Sequence, residues 1–272
     1  MLTPTAEIVA AARAAGRGVG AFNVIQVEHA QGIVAGAACA GLPVILQVSE
    51  NTVDYHGGLA AIGAACLAVA REAPVPVAVH LDHATRGDLV DRAVALGFGS
   101  VMFDASVLPY DDNLAATAEV VRRSGVFVEA ELGEVGGKDG VHAPGARTDP
   151  GEAAAYVAAT GVHALAVAVG TSHAMLTRDA ALDFALIAEL RAAVPVPLVL
   201  HGSSGVADDG LRAAVDAGMT KVNIATHLNK AFTGEVRRVL AATSTVDPRA
   251  YLRPARDAVA TQVSHLLRVL AG

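Results

Sequence analysis

The chain has 272 residues, 53% of them hydrophobic but only 4% aromatic and none of them Trp, so Ala, Val, Leu and Gly have to build its core. The net charge of −7, with basic residues scattered apart from the pairs Arg122–Arg123 and Arg237–Arg238, argues against a nucleic-acid partner. No apolar run reaches the roughly 18 residues that cross a membrane, and no apolar leader opens the chain, so a soluble cytoplasmic protein is expected. Cys39 and Cys66 lack metal-ligand spacing and read as buried thiols in a reducing compartment.

Along the chain, short runs that read as strands alternate with stretches of helical period. The N-terminus is an amphipathic helix. Strands are expected at Gly20–Val24, Pro43–Ser49, Pro76–His83, Ser100–Ser106, Val126–Gly133, Ala164–Gly170, Pro197–Gly202 and Lys221–Thr226. Most are near-continuous apolar runs, the pattern of parallel strands buried on both faces. Between them lie helices near Glu28–Gly41, Gly57–Arg71, Leu89–Leu96, Asn113–Arg123, Gly151–Thr160, Leu182–Ala193 and Asp208–Ala217, with Gly41, Gly97, Gly161 and Gly218 near the ends, where a left-handed cap favours glycine. Eight such units predict one (β/α)8 TIM barrel over residues 1–272. The rival, an open doubly wound sheet, lacks a Gly-rich phosphate loop after the first strand. A further helix near Ala255–Leu270 extends past the eighth unit, to cap the barrel floor, join a subunit interface or lie on the surface.

In this fold the site forms at the carboxyl ends of the strands, and unusual polar residues fall there. The third strand ends His80-Leu81-Asp82-His83; the fifth carries Glu129 and Glu131; the sixth runs into Gly170-Thr171-Ser172-His173. The seventh ends His201-Gly202-Ser203-Ser204-Gly205, and the eighth Asn223-Ile224-Ala225-Thr226. His83, His173 and His201, on three strand ends, suit a zinc ion that keeps an open position; the plainer alternative is that each hydrogen-bonds locally. His80 is expected to orient Asp82 or the metal ligands. His29, His56, His163, His227 and His265 read as solvent-facing, and His142 sits in a polar loop.

Taken together, HLDH, EAELGEVGG, AVAVGTSH, HGSSG and VNIAT, in this order on five successive strand ends, resemble the class II fructose-bisphosphate and tagatose-bisphosphate aldolases. The resemblance covers essentially the whole chain, and the C-terminal DPRAYLRPAR is similar to the tagatose-type branch. It implies reversible cleavage of a phosphorylated ketose to dihydroxyacetone phosphate and an aldehyde, through a zinc-stabilised enediolate. One zinc per subunit would be held by His83, His173 and His201, with Glu131 and His80 in support. Asp82 would exchange a proton with the C4 hydroxyl, and Asp139, in the Gly136–Gly140 turn, with C3. The substrate and its phosphate would meet Asn23, Ser49, Ala174, Gly202, Ser203, Ser204, Asn223, Ala225 and Thr226. A monovalent cation near the phosphate and a homodimer or homotetramer are further implications.

Four positions depart from the family pattern, and they bear on the substrate and its chemistry. Ala174 stands where relatives usually have Gly, Gln26 where many have Asn, and Asp139 where many have Glu. In the loop Ser49–Tyr55, Asp54 occupies the position of an arginine for the distal phosphate, which opens the alternative of a ketose 1-phosphate or another sugar lacking a second phosphate. A metal-dependent sugar isomerase or a non-catalytic sugar-phosphate-binding relative are the readings from other classes. A Schiff-base mechanism needs a lysine inside the barrel; Lys138 falls in a loop, Lys230 on a helix, and Lys221 at what reads as the wrong end of its strand.

Overall fold

The computed structural model describes residues 1–132, 147–171, 178 and 180–272. In chain order the elements are α1 (Thr5–Ala14), β1 (Val19–Asn23), α2 (Val27–Ala40), β2 (Val44–Ser49), α3 (Glu50–Tyr55), α4 (Ala60–Glu72), β3 (Val77–Ala84), α5 (Gly87–Leu96), β4 (Ser100–Phe103) and α6 (Tyr110–Ser124). There follow β5 (Phe127–Leu132), α7 (Pro150–Thr160), β6 (Ala164–Val167), α8 (Phe184–Ala193), β7 (Leu198–Leu200), a 3-10 turn (Ser203–Gly205), α9 (Asp208–Ala217), β8 (Met219–Ile224), α10 (Thr226–Ala242) and α11 (Pro248–Ala271). The strands pair in sequence order, all parallel, and β8 pairs with β1, so the sheet closes into a (β/α)8 barrel with an additional C-terminal helix.

Several boundaries differ from the sequence reading, among them the ends of the fourth, seventh and eighth strands, and two of the differences have local reasons. The sixth strand stops at Val167, and Gly170 beyond it takes φ 111°, a backbone that cannot continue a ladder. The stretch after β2, read as a loop, is the helix α3: Ser49 caps it by accepting a hydrogen bond from the Thr52 amide at 3.3 Å.

The barrel floor is closed by α1. Its Ile8, Val9 and Ala12 pack with Val19, Ala21, Ile45 and Ala78 of the first three strands, an apolar plug that keeps water from the lower lumen. Thr5, at the start of α1, hydrogen-bonds Ser100 on β4 at 2.6 Å. The outer faces of the strands and the inner faces of the helices form the main core, in which Phe22, Leu46, Leu81, Leu165 and Tyr156 are fully buried.

The C-terminal helix α11 packs instead along α2, against Gly32 and Gly36. A methyl added at Gly36 would lie 2.5 Å from the Ala260 carbonyl oxygen and 2.8 Å from Val263 Cβ, so the two backbones approach as closely as they do because this face is bare. On the same side of the barrel, His29 of α2 is buried rather than solvent-facing. Its ring stacks on Phe232 of α10 with centroids 4.7 Å apart, and neither ring nitrogen has a hydrogen-bond partner among the described residues. Burial lowers its pKa from 6.5 to about 4, against a smaller opposing pull from Glu28.

Two stability measurements follow from this packing. Gly36→Ala is expected to destabilise by about 1–3 kcal/mol in denaturant titration through overpacking, despite the better helix propensity of Ala. Gly234→Ala, in α10 with nothing within 4 Å of the added methyl, should instead stabilise by up to about 1 kcal/mol. For His29 the folded protein stays neutral down to about pH 4 while the unfolded chain takes up a proton near pH 6.5. Stability should therefore fall as pH drops through that window, by on the order of 3 kcal/mol below it, and His29→Leu should flatten the fall.

Candidate active site and metal centre

Alternation along the strands sends every second side chain into the lumen. By this rule β1 contributes Asn23, β2 Gln47, β3 His80 and Asp82, β5 Glu129 and Glu131, and β8 Lys221 and Asn223. All of them except the half-buried Asn23 are buried. The ladder register sets their heights: Asn23 pairs with Gln47, Gln47 with His80, and Ser49 with Asp82. The result is an apolar floor beneath a polar upper layer.

Alternation alone would turn His83 outward, away from Asp82. The backbone breaks the rule there. His83 has φ 50°, the single non-glycine residue with positive φ among the described residues, and the β3–β4 register shifts between Leu81 and Ala84. Such a conformation costs about 1–3 kcal/mol and persists where surrounding contacts hold it. Here it brings the His83 ring to 4.7 Å from the His201 ring, edge to face.

His83, Glu131 and His201 each offer a ligand atom, and these atoms lie within 4.8 Å of one another. His83 Nδ1 is 2.7 Å from Asp104 Oδ2, which favours the tautomer whose lone pair, the one a metal needs, is on Nε2. Asp104 is itself held by the Ser106 hydroxyl at 2.6 Å. His201 lies between two carboxylates, Nε2 3.0 Å from Glu129 Oε1 and Nδ1 3.0 Å from Glu131 Oε2. Burial opposes protonation of His201, but hydrogen bonds to Glu129 and Glu131 outweigh it and raise its pKa to about 9. Two imidazoles with a carboxylate, their ligand atoms this close together, are a donor set that suits zinc and similar divalent ions.

Beside this cluster, Asp82 is gripped at both oxygens. Asn23 donates to Oδ2 at 2.9 Å and Asn223 to Oδ1 at 3.2 Å. Burial disfavours its charge, yet the positive fields of His83, Lys221, His201 and His80 prevail and hold its carboxyl at about 2. Glu129 is likewise kept well below the ordinary carboxylate range: burial opposes its ionisation, and the charge of Lys221 with the hydrogen bond from His201 overcomes it.

Of the other residues singled out in the sequence, Ser203 and Ser204 are buried in the turn after β7, where Gly202 adopts φ 65°. Ala225 and Thr226 sit where β8 gives way to α10. Ser49 is spent as the cap of α3. His80 sits deeper, bonded through Nδ1 to Ser100 at 2.8 Å, and makes no hydrogen bond to Asp82. His173, Ala174, Asp139, Lys138 and His142 lie outside the described residues. The reading of Lys221 is corrected: its side chain is fully buried inside the barrel, with Nζ 2.7 Å from Glu129 Oε2. Sequence reasoning gave no role to Asp104, Glu129, Gln47 or Lys221. Asp104 was findable, as an acid closing the fourth strand; Lys221 was not, because its apparent distance from the strand end hid how far its long side chain reaches.

A closed (β/α)8 barrel with buried imidazoles and carboxylates converging at the carboxyl ends of its strands is the frame of a metal-assisted enzyme. The model of the family described as fructose-bisphosphate aldolase class-II matches residues 3–272, and the chain belongs to that family. It is accordingly a carbon–carbon lyase, of a family that is typically metal-dependent. Among solved structures, the YdjI aldolase of Escherichia coli K12 superposes with a TM-score of 0.86 at 30% identity, over 99% of this chain and 97% of that one. A putative fructose-1,6-biphosphate aldolase of Coccidioides immitis superposes with a TM-score of 0.86 at 26% identity, over 98% and 95%. The Fba protein of Campylobacter jejuni, at 21% identity and a TM-score of 0.83 over 99% and 95%, shares the fold. No described helix is long and apolar enough to cross a membrane.

If Asp104 sets the tautomer of His83, then Asp104→Asn should weaken divalent-metal affinity by about 10- to 100-fold. Competition with a chelating dye would read this, with the far-UV spectrum of the barrel unchanged.

Proposed function

We propose that the protein catalyses reversible aldol cleavage of a phosphorylated ketose, of the fructose or tagatose 1,6-bisphosphate type, to dihydroxyacetone phosphate and an aldehyde. The observation that carries the reading is the Asp82 carboxyl, fixed at both oxygens beside the His83–Glu131–His201 cluster. In this reading His83, His173 and His201 hold one zinc ion per subunit, and Glu131 lies close enough to share it. A divalent ion bound there supplies Lewis-acid stabilisation of the negative charge that develops on substrate oxygens during cleavage.

The chain's own groups do the rest. Asp82 accepts the proton of the C4 hydroxyl as the C3–C4 bond breaks, and returns it in the synthetic direction. Its two amide partners keep the carboxylate aimed, so little reorganisation is needed when the proton moves. Asp139 exchanges the C3 proton, a role that rests on the family resemblance. The phosphate of the dihydroxyacetone half is bound by Gly202, Ser203, Ser204 and the β8–α10 junction at Ala225 and Thr226, where the N-terminus of α10 offers backbone N–H groups. Asn23, Ser49 and Ala174 complete the substrate's surroundings, with a monovalent cation near the phosphate. The same resemblance supports a cytoplasmic homodimer or homotetramer, and the DPRAYLRPAR segment, which forms the first turns of α11, supports the tagatose-type branch.

A specific observation favours the second reading, a substrate without a distal phosphate. Asp54 does not stand alone on the rim beside β2 and β3. Arg86 Nε is 2.9 Å from Glu50 Oε1, and its Nη2 is 3.5 Å from Asp54 Oδ1. Two carboxylates thus face one guanidinium, and the charge that would bind a second phosphate is already neutralised.

Cleavage of fructose 1,6-bisphosphate, tagatose 1,6-bisphosphate and fructose 1-phosphate, each with and without chelator, tests both readings. Activity on at least one should disappear with the metal, and Asp82→Ala should lose about 10²- to 10⁴-fold in kcat while retaining it. A strong preference for a bisphosphate would count against the rim argument. Chelator-resistant cleavage would overturn the mechanism.

A further inference from the structure

Lys221 is one of the largest fully buried side chains in the protein, yet neither metal binding nor proton transfer uses it directly. Its ammonium touches two groups: Glu129 Oε2 at 2.7 Å and Asn223 Oδ1 at 2.8 Å. Each of these leads to a different half of the site. Glu129 Oε1 goes on to His201, and Asn223 Nδ2 goes on to Asp82.

The contact with Asn223 has a direct consequence. A side-chain amide can turn by half a rotation, and a turned Asn223 would aim its carbonyl oxygen at the Asp82 carboxylate. With Oδ1 accepting from a cation, only one orientation survives, the one that presents Nδ2 to Asp82. The opposite side of Asp82 is built the same way. Asn23 donates to Asp82 Oδ2, and Asn23 Oδ1 accepts from Gln47 Nε2 at 2.7 Å. Both amides that grip Asp82 are therefore locked from behind, one by the neutral Gln47 and one by Lys221.

We propose that Lys221 is a positioning residue for proton transfer: it locks the Asn223 amide so that Asp82 stays aimed at the substrate hydroxyl, with Glu129 as its buried counterion. The inference rests on the role given above to Asp82. A charge is needed on the Asn223 side because Glu129 is buried there and has to be compensated, and one ammonium serves both ends.

Lys221→Met alone would leave Glu129 uncompensated and endanger folding. The informative variant is Lys221→Met with Glu129→Gln, which removes the pair as neutral near-isosteres, compared with Glu129→Gln alone, in which Lys221 keeps Asn223 but loses its counterion, so the far-UV spectrum and melting temperature of both are matched first. At equal metal content, kcat of the double variant is expected to lie about 10- to 100-fold below that of Glu129→Gln, the range that a small misplacement of a catalytic group costs. KM should change little. A folded, metal-loaded double variant with the kcat of Glu129→Gln would overturn the proposal and leave Lys221 a structural counterion. An inactive wild type would overturn the aldolase reading, and this proposal with it. The wild type also supplies a test that does not depend on any variant folding. Its Asn223 side-chain amide should show one set of NMR signals with slow hydrogen exchange; two interconverting sets would overturn the lock.

Discussion

Three carboxylates, Asp82, Glu129 and Glu131, are buried in the upper lumen of the barrel, and each would cost several kcal/mol if left uncompensated. Most of what surrounds them answers that cost. Lys221 compensates Glu129, His201 is drawn between Glu129 and Glu131, and Asn23 with Asn223 satisfies Asp82. The requirement for positive charge that makes this region expensive to fold is the same one that makes it receptive to a divalent ion. Stability and metal binding are therefore two expressions of one electrostatic constraint.

The scaffold delivers this cluster to one level because strand alternation is strict and the register is continuous from β1 through β3. The apolar plug of α1 beneath it excludes water and lowers the local dielectric, which strengthens every charge interaction above. The plug is also wired to the polar layer, since Ser100 bonds both Thr5 in α1 and His80 in β3. Where strict alternation would have turned His83 away from the lumen, a bulge and a left-handed backbone turn it inward, and the local strain is borne by the barrel around it.

Much of the fold was legible in advance because its signals are local and repeated. Near-continuous apolar runs mark parallel strands, and glycines at helix ends mark left-handed caps, as φ at Gly41, Gly97 and Gly161 bears out. The capped helix after Ser49 leaves no such signal, since six residues give too short a stretch for periodicity to register. The fate of His29 is equally hidden: its ring stacks on Phe232, about two hundred positions away in the chain.

By itself the sequence determined the eight-unit barrel, its polar strand ends and the candidacy of His83, Asp82 and His201, because period and residue chemistry are properties of short segments. Only the tertiary structure decided which of these groups meet. The pairing of His83 with Asp104, the grip of two asparagines on Asp82 and the reach of Lys221 to Glu129 join residues 21, 59, 141 and 92 positions apart. Closing the sheet on itself creates these contacts, and closure is a property of the whole chain.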